Sequence, residues 1–343
     1  MTHQELSEAK NDLRNTVFLN FSSTKNQLTK QDMIEWFSKM RIFKPTRMSV
    51  PNKSARYNAD MFEQLIRTCD DWGTYKLENR SNFCLTFQYG SMAAFSARMP
   101  LDVWKERERD LVCFLEDYFV RMDGCFGYVV NYFDDYIVQN PFGGGRMSSW
   151  KLDDTDFPDI QSIPLTFAPN NPNYIFLDPS YLPGHRYRFE KVDFVVSAYM
   201  WMGPDIFYII SNDKLKSVCE CEENTEFTPG FRRICLWKNL VEYNHPTYRE
   251  RQWAFREVVD WQESMQDLYE KLPKHYEEEN KKRATVEMWR GTFPNGGTLL
   301  VRYYVDKRGK ACGKHKAYAY IEREMDGNTI IKQERTKIET GKK

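Results

Sequence analysis

Apolar and polar positions alternate with period two at Thr16–Phe21 (TVFLNF), which predicts a first strand. A helix follows from Thr29, a suitable N-cap, with Ile34, Phe37 and Met40 on one face. A short extended piece at Arg47–Val50 stops at Pro51, and Asn58 opens a second helix over 58–69, with Met61, Phe62, Leu65 and Ile66 at helical spacing. Phe83–Tyr89 and Ala93–Met99 flank Gly90-Ser91 as a hairpin. The longest helix runs from Pro100 or Leu101 to Met122, and Phe126–Phe133 (FGYVVNYF) returns as a strand.

Beyond this point the pattern loosens. Residues 140–190 are rich in breakers and read as a linker or long surface loop. Lys191–Trp201 predicts a strand that breaks at Gly203-Pro204 and continues at Ile206–Ile210. Leu236–Leu240 reads as a short buried piece, and Tyr248–Tyr269 as one helix whose apolar stripe includes Trp253, Val258, Trp261 and Met265. Near the C-terminal end, Thr298–Val305, Lys316–Glu322 and Thr329–Lys332 alternate around tight turns, a small antiparallel meander. Interleaved strands and helices with an internal hairpin favour an α+β fold, a mixed or antiparallel sheet layered with helices, as one body or two similar fused halves. The expected organisation is a body over 1–272 and a small β-rich module over 284–343, joined by the charged stretch 272–283.

Charge sharpens this division. Residues 280–343 carry 16 Lys and Arg against 7 Asp and Glu, whereas the preceding residues carry 33 against 42, so a net charge of zero combines an acidic body with a basic module. No apolar run is long enough for a signal peptide or a bilayer span, and eight scattered cysteines read as reduced thiols. A cytoplasmic protein with no membrane association is the expectation.

Candidate chemistry is sparse. Cys219-Glu220-Cys221 with Cys235 lacks the paired CxxC knuckles of a zinc site, and the five histidines form no HExxH or HxH arrangement. His185 belongs to a turn. Gly143-Gly144-Gly145 lacks the Walker pattern and reads as a flexible connection. No catalytic residue, metal or cofactor is therefore assigned. Two polar clusters remain. Asp134 and Asp135, at the end of FGYVVNYF, and Asp153, Asp154 and Asp156 read as an acidic surface able to steer a cationic partner. In the basic module Arg302, Tyr304, Lys307, Arg308, Lys310, Lys314 and Lys316 offer cations interleaved with rings, a pattern suited to single-stranded nucleic acid.

The element order from Val17 to Phe133, with FLNF before a helix, FCLTFQYG and AAFSARMP, the long helix before FGYVVNYF and the later WMGPDIFYIIS, resembles Imm52-like bacterial immunity proteins, carried beside polymorphic or type VI toxins. The resemblance covers about residues 15–265 and brings no catalytic residues. It implies a non-enzymatic protein that binds and occludes a cognate toxin. The alternative reading is a nucleic-acid-associated protein working through the basic module.

Overall fold

The computed structural model describes residues 3–272, apart from 52, 70–72, 80–82, 140–151, 153–155, 158–159, 169–170 and 190–191, and then 286–290, 299–309, 317–326 and 329–338. The chain divides into two compact units, residues 1–167 with 174–273, and 168–173 with 274–343. The fold is α+β.

In the first unit the order is α1 (His3–Arg14), β1 (Thr16–Ser22), α2 (Lys30–Met40), β2 (Arg47–Val50), β3 (Lys53–Arg56), α3 (Ala59–Thr68), β4 (Gly73–Glu78), β5 (Cys84–Tyr89), β6 (Ala94–Pro100), α4 (Leu101–Arg121), β7 (Phe126–Asn131) and α5 (Tyr132–Gln139). There follow β8 (Leu165–Ala168) and β9 (Asn171–Leu177), of which residues 168–173 are counted with the second unit, then β10 (Tyr187–Phe189), β11 (Val192–Phe194), β12 (Tyr199–Met202), α6 (Asn212–Lys216), β13 (Glu223–Thr228), β14 (Phe231–Cys235), α7 (Pro246–Val258), α8 (Trp261–Gln266) and α9 (Leu268–Lys271). Ten strands form one antiparallel sheet in the order β13-β14-β12-β7-β1-β6-β5-β4-β2-β3.

Local chemistry sets the early elements where the pattern predicts them. Thr29 and Asp32 close a reciprocal capping box on α2, and the Asn58 side chain accepts from the Met61 N–H to cap α3. Val17, Leu19 and Phe21 of β1 share a sheet face with Phe95 and Met99 of β6 and Leu85 and Phe87 of β5. The helices cover that face. Trp36 of α2 meets Phe95 with ring centroids 4.1 Å apart, and Phe119 of α4 meets Phe21 at 5.7 Å.

The opposite face is covered over only part of its width. Burial is continuous along β7 and β12 but alternates along β4, β5 and β6, whose outward residues include Lys76, Thr86, Gln88, Ser96 and Arg98. Over β7, Phe194 of β11 packs on Phe126 at 5.3 Å, and Trp261 lies beyond it at 6.5 Å. The cover therefore ends near β1. At the outer edges of the sheet, β3 presents Lys53 and Arg56 to solvent, and β13 carries a register irregularity between Glu226 and Thr228.

Several expectations are corrected. FGYVVNYF is not one strand. The Asn131 side chain accepts from the N–H of Phe133 at 2.9 Å and starts α5 at Tyr132. The expected strand 191–201 is split into β11 and β12, and Pro204–Tyr208 is a 3-10 turn. The expected single helix 248–269 breaks at Asp260, whose φ of 47° is left-handed. Helix α1 and strands β3, β4, β8, β9, β10, β13 and β14 lie where the sequence pattern predicts no element.

The second unit contains an antiparallel sheet of β15 (Val286–Arg290), β16 (Leu299–Val305), β17 (Ala319–Asp326) and β18 (Thr329–Lys337). It has one more strand, β15, than the expected meander.

Candidate binding site

The first turn of α5 carries two adjacent carboxylates. Because α5 is a helix, Asp134 and Asp135 lie about 100° apart around its axis and reach different neighbours. Asp134 forms a bidentate pair with Arg249 of α7, one contact measuring 3.2 Å, and Arg249 also donates to Gln252 at 3.0 Å. Asp135 pairs with Arg186 at 3.4 Å. Arg186 also reaches Asp193 of β11 at 3.3 Å, and Asp193 is held by Arg188 at 2.6 Å and 3.2 Å. Burial pushes the Asp135 carboxyl up from 3.8 to about 6, with Arg186 opposing and Asp134 and Asp193 adding to the shift.

These positions correct the expected acidic surface. Asp134, Asp135 and Asp156 are 2%, 7% and 0% exposed, so they form interior ion pairs and present no open anionic face. Desolvation of an unpaired carboxylate is costly, which is why each is met by an arginine or lysine. Asp156 takes Lys10 at 2.6 Å and Arg14 from α1, and so ties that polar helix to the body. Asp153 and Asp154 lie outside the described residues.

Two cavities open beside the two arginines. The larger, about 630 Å³, is lined by Phe157, Ile163, Tyr181, Pro183, Arg249 and Trp253, among others. Tyr181 and Trp253 are exposed at 54% and 41%, so the rim is aromatic. Helix α7 builds one wall. Arg249, Trp253 and Arg256 recur at four- and three-residue steps along it, the spacing of one helix face. The Arg256 guanidinium lies 4.9 Å from the Trp253 ring centroid, and that of Arg249 lies 4.3 Å from the ring of Phe157. Trp253, expected in the apolar stripe of this helix, is thus directed outward, while Arg249 and Arg256 are the buried members.

The smaller cavity, about 310 Å³, sits where the cover of the sheet ends. It is lined by Arg186, Arg188 and Asp193 on one side and by Asn20, Thr86, Gln88 and Ser96 of the sheet on the other, with Phe18 also in the lining. Tyr128 faces Asn20 across the β1–β7 pair. Its buried hydroxyl stands beside the Asn20 amide without a hydrogen bond of ordinary geometry.

The remaining sequence candidates are placed as follows. His185 is half-buried, with Nδ1 3.0 Å from the Val138 carbonyl oxygen, and burial lowers its pKa. Cys235 is buried while Cys219 is exposed, and among the described residues no group of three or more His, Cys, Asp or Glu side chains is placed to hold a metal ion. Arg302 is engaged with Glu322 at 2.9 Å and lies over the Tyr320 ring at 4.4 Å, and Tyr304 is 3% exposed. That arrangement replaces the open stacking surface expected at Arg302 and Tyr304. Lys307 and Arg308 are exposed on the turn after β16. Lys310, Lys314, Lys316 and Gly143–Gly145 lie outside the described residues. Among the described residues no helix is long and apolar enough to cross a membrane.

No protein-family model matches the chain, and no curated protein does. Among solved structures, a Pseudomonas aeruginosa T6SS protein is similar over 71% of this chain and 72% of its own, with 9% sequence identity and a TM-score of 0.43.

Proposed function

We propose that this chain is a non-enzymatic binding protein that captures a cognate bacterial toxin and occludes it, with the aromatic-rimmed cleft on α7 as the principal contact. The observation that carries this reading is the pair Tyr181 and Trp253, two large rings left in solvent at the mouth of a cleft backed by a buried ion pair. Exposed aromatics flanked by arginine make up the residue set that dominates binding energy in protein interfaces. The Asp134–Arg249 pair fixes the cleft wall, so the rings lose little freedom when a partner arrives. Glu250 is exposed at the same rim and offers a carboxylate to a basic group of the partner. The sequence resemblance to immunity proteins gives this partner its class.

The test is to mix the purified protein with the toxin encoded beside its gene, and to co-express the two in a susceptible bacterium. Complex formation and protection, both lost in a Tyr181→Ala, Trp253→Ala double variant, are the expected results. A toxin that neither binds nor is neutralised overturns the reading.

A further inference from the structure

The smaller cavity is separate from the aromatic cleft, and its chemistry is of another kind. Its walls hold a surplus of hydrogen-bond donors. Asp193, the one carboxylate in the lining, already accepts from Arg188, Arg186 and, at 3.5 Å, Asn20. Among the described residues Thr86, Gln88 and Ser96 make no side-chain hydrogen bond with the protein, and all three point from the uncovered part of the sheet into the same space. The Arg188 side chain is 58% exposed, so its guanidinium can turn from Asp193 towards an incoming acceptor at modest cost.

We infer that this cavity is a binding site for a carboxylate, carried either by a small free acid or by an acidic side chain of a protein partner. Volume and the supply of donors select that class. At about 310 Å³ the space suits a group of amino-acid size. Among the described residues the lining carries two guanidiniums and one carboxylate, and Asp135 behind Arg186 brings the cluster to neutrality. A monoanion adds one charge to that neutral cluster and is met by the Thr86 and Ser96 hydroxyls, the Gln88 amide and the outward side of Arg188, whereas a phosphate dianion adds two. An acceptor-only carboxylate also takes both hydroxyls and the guanidinium as donors, and a neutral amide has fewer acceptor sites to offer them.

The test follows the arginine Nε–Hε resonances of the full chain by NMR during separate titrations with acetate, blocked glutamate (N-acetyl, α-amide), the matching blocked glutamine and inorganic phosphate. Saturable shifts at Arg186 and Arg188 with acetate or blocked glutamate are expected, the affinity read at Arg186 being weakened by about tenfold or more in Arg188→Gln and unchanged in Arg107→Gln, an exposed position on α4. Saturation by both acids supports a free carboxylate ligand, and saturation by blocked glutamate alone supports a partner side chain. The inference is overturned if no titration saturates, if glutamine or phosphate binds as tightly as the acids, or if Arg188→Gln leaves the affinity intact. Thermal unfolding of each variant separates a lost site from a lost fold. The outcome is independent of toxin binding at the cleft.

Discussion

Arg249 of α7 is gripped by Asp134 of α5 across 115 positions of sequence, and both side chains are buried. The neighbouring carboxylate, Asp135, holds Arg186 instead. One helical turn thus fixes an arginine in each of the two cavities.

Breaking the first of these pairs leaves a charge stranded in the interior. Asp134→Asn is expected to destabilise the protein by about 3–5 kcal/mol. Asp134→Asn combined with Arg249→Met should cost less than the sum of the single changes, because the stranded cation is then gone. Urea unfolding of the three variants measures the coupling, and strict additivity would contradict the buried pair.

Asp135 gives a stability component of the less common sign. Its folded-state pKa lies above its ordinary value, so the folded protein holds the extra proton between 3.8 and about 6. The contribution is fully present below the lower value and is lost as pH rises through the upper one, on the order of 2–3 kcal/mol across the window. In Asp135→Asn this component of the pH dependence should disappear. Unfolding free energies at stepped pH check it, as does direct titration of the carboxyl carbon by NMR.

The rings at the cleft mouth are expected to matter more for binding than for folding. Tyr181→Ala should change stability by no more than about 0.5–1 kcal/mol, since that residue is 54% exposed, and Trp253→Ala by about 1–2 kcal/mol, since Trp253 is 41% exposed and lies against Arg256. Each should weaken toxin binding by about 2 kcal/mol or more if the cleft is the principal contact. Calorimetry beside thermal melts distinguishes the two effects.

Gly203 permits a close backbone crossing at the end of β12. A Cβ there would lie 1.7 Å from the Gly124 carbonyl oxygen, a backbone atom, and the Gly203 N–H donates to the Cys125 carbonyl at 3.0 Å, which ties the two segments together. Gly203→Ala is expected to cost more than about 4 kcal/mol and to yield insoluble protein. A soluble variant with an unchanged melting temperature would refute the contact.

Much of the body could be read in advance because local rules and tertiary demands agree there. At β1, α2, α3, β5, β6 and α4, alternation, caps and the Gly-Ser turn all point the same way, and the observed bounds fall within one or two residues. Helix α1 escaped because it is polar almost throughout, with only Leu6 buried and Leu13 packed on the core, and ion pairs to Asp156 complete its attachment. The onset of α5 was hidden inside an apolar run, with Asn131 as its one local signal. The site was the least legible part. The carboxylates were visible as residues, but the cations that pair with them come from α1, from Arg186 just before β10 and from α7, and no local pattern links positions so distant in sequence. Trp253 looked like a core residue for a related reason, since helical spacing identifies a face but not which neighbour faces it.

The ten-stranded sheet is open, and an open sheet ends in two rows of unsatisfied backbone groups. At one end Lys53 and Arg56 would have to be brought against a second copy's matching cations before any ladder formed. At the other, the irregularity between Glu226 and Thr228 throws successive amides out of line with a straight incoming strand. Fibril-like stacking through these rims is disfavoured at both ends, so this sheet does not template its own aggregation.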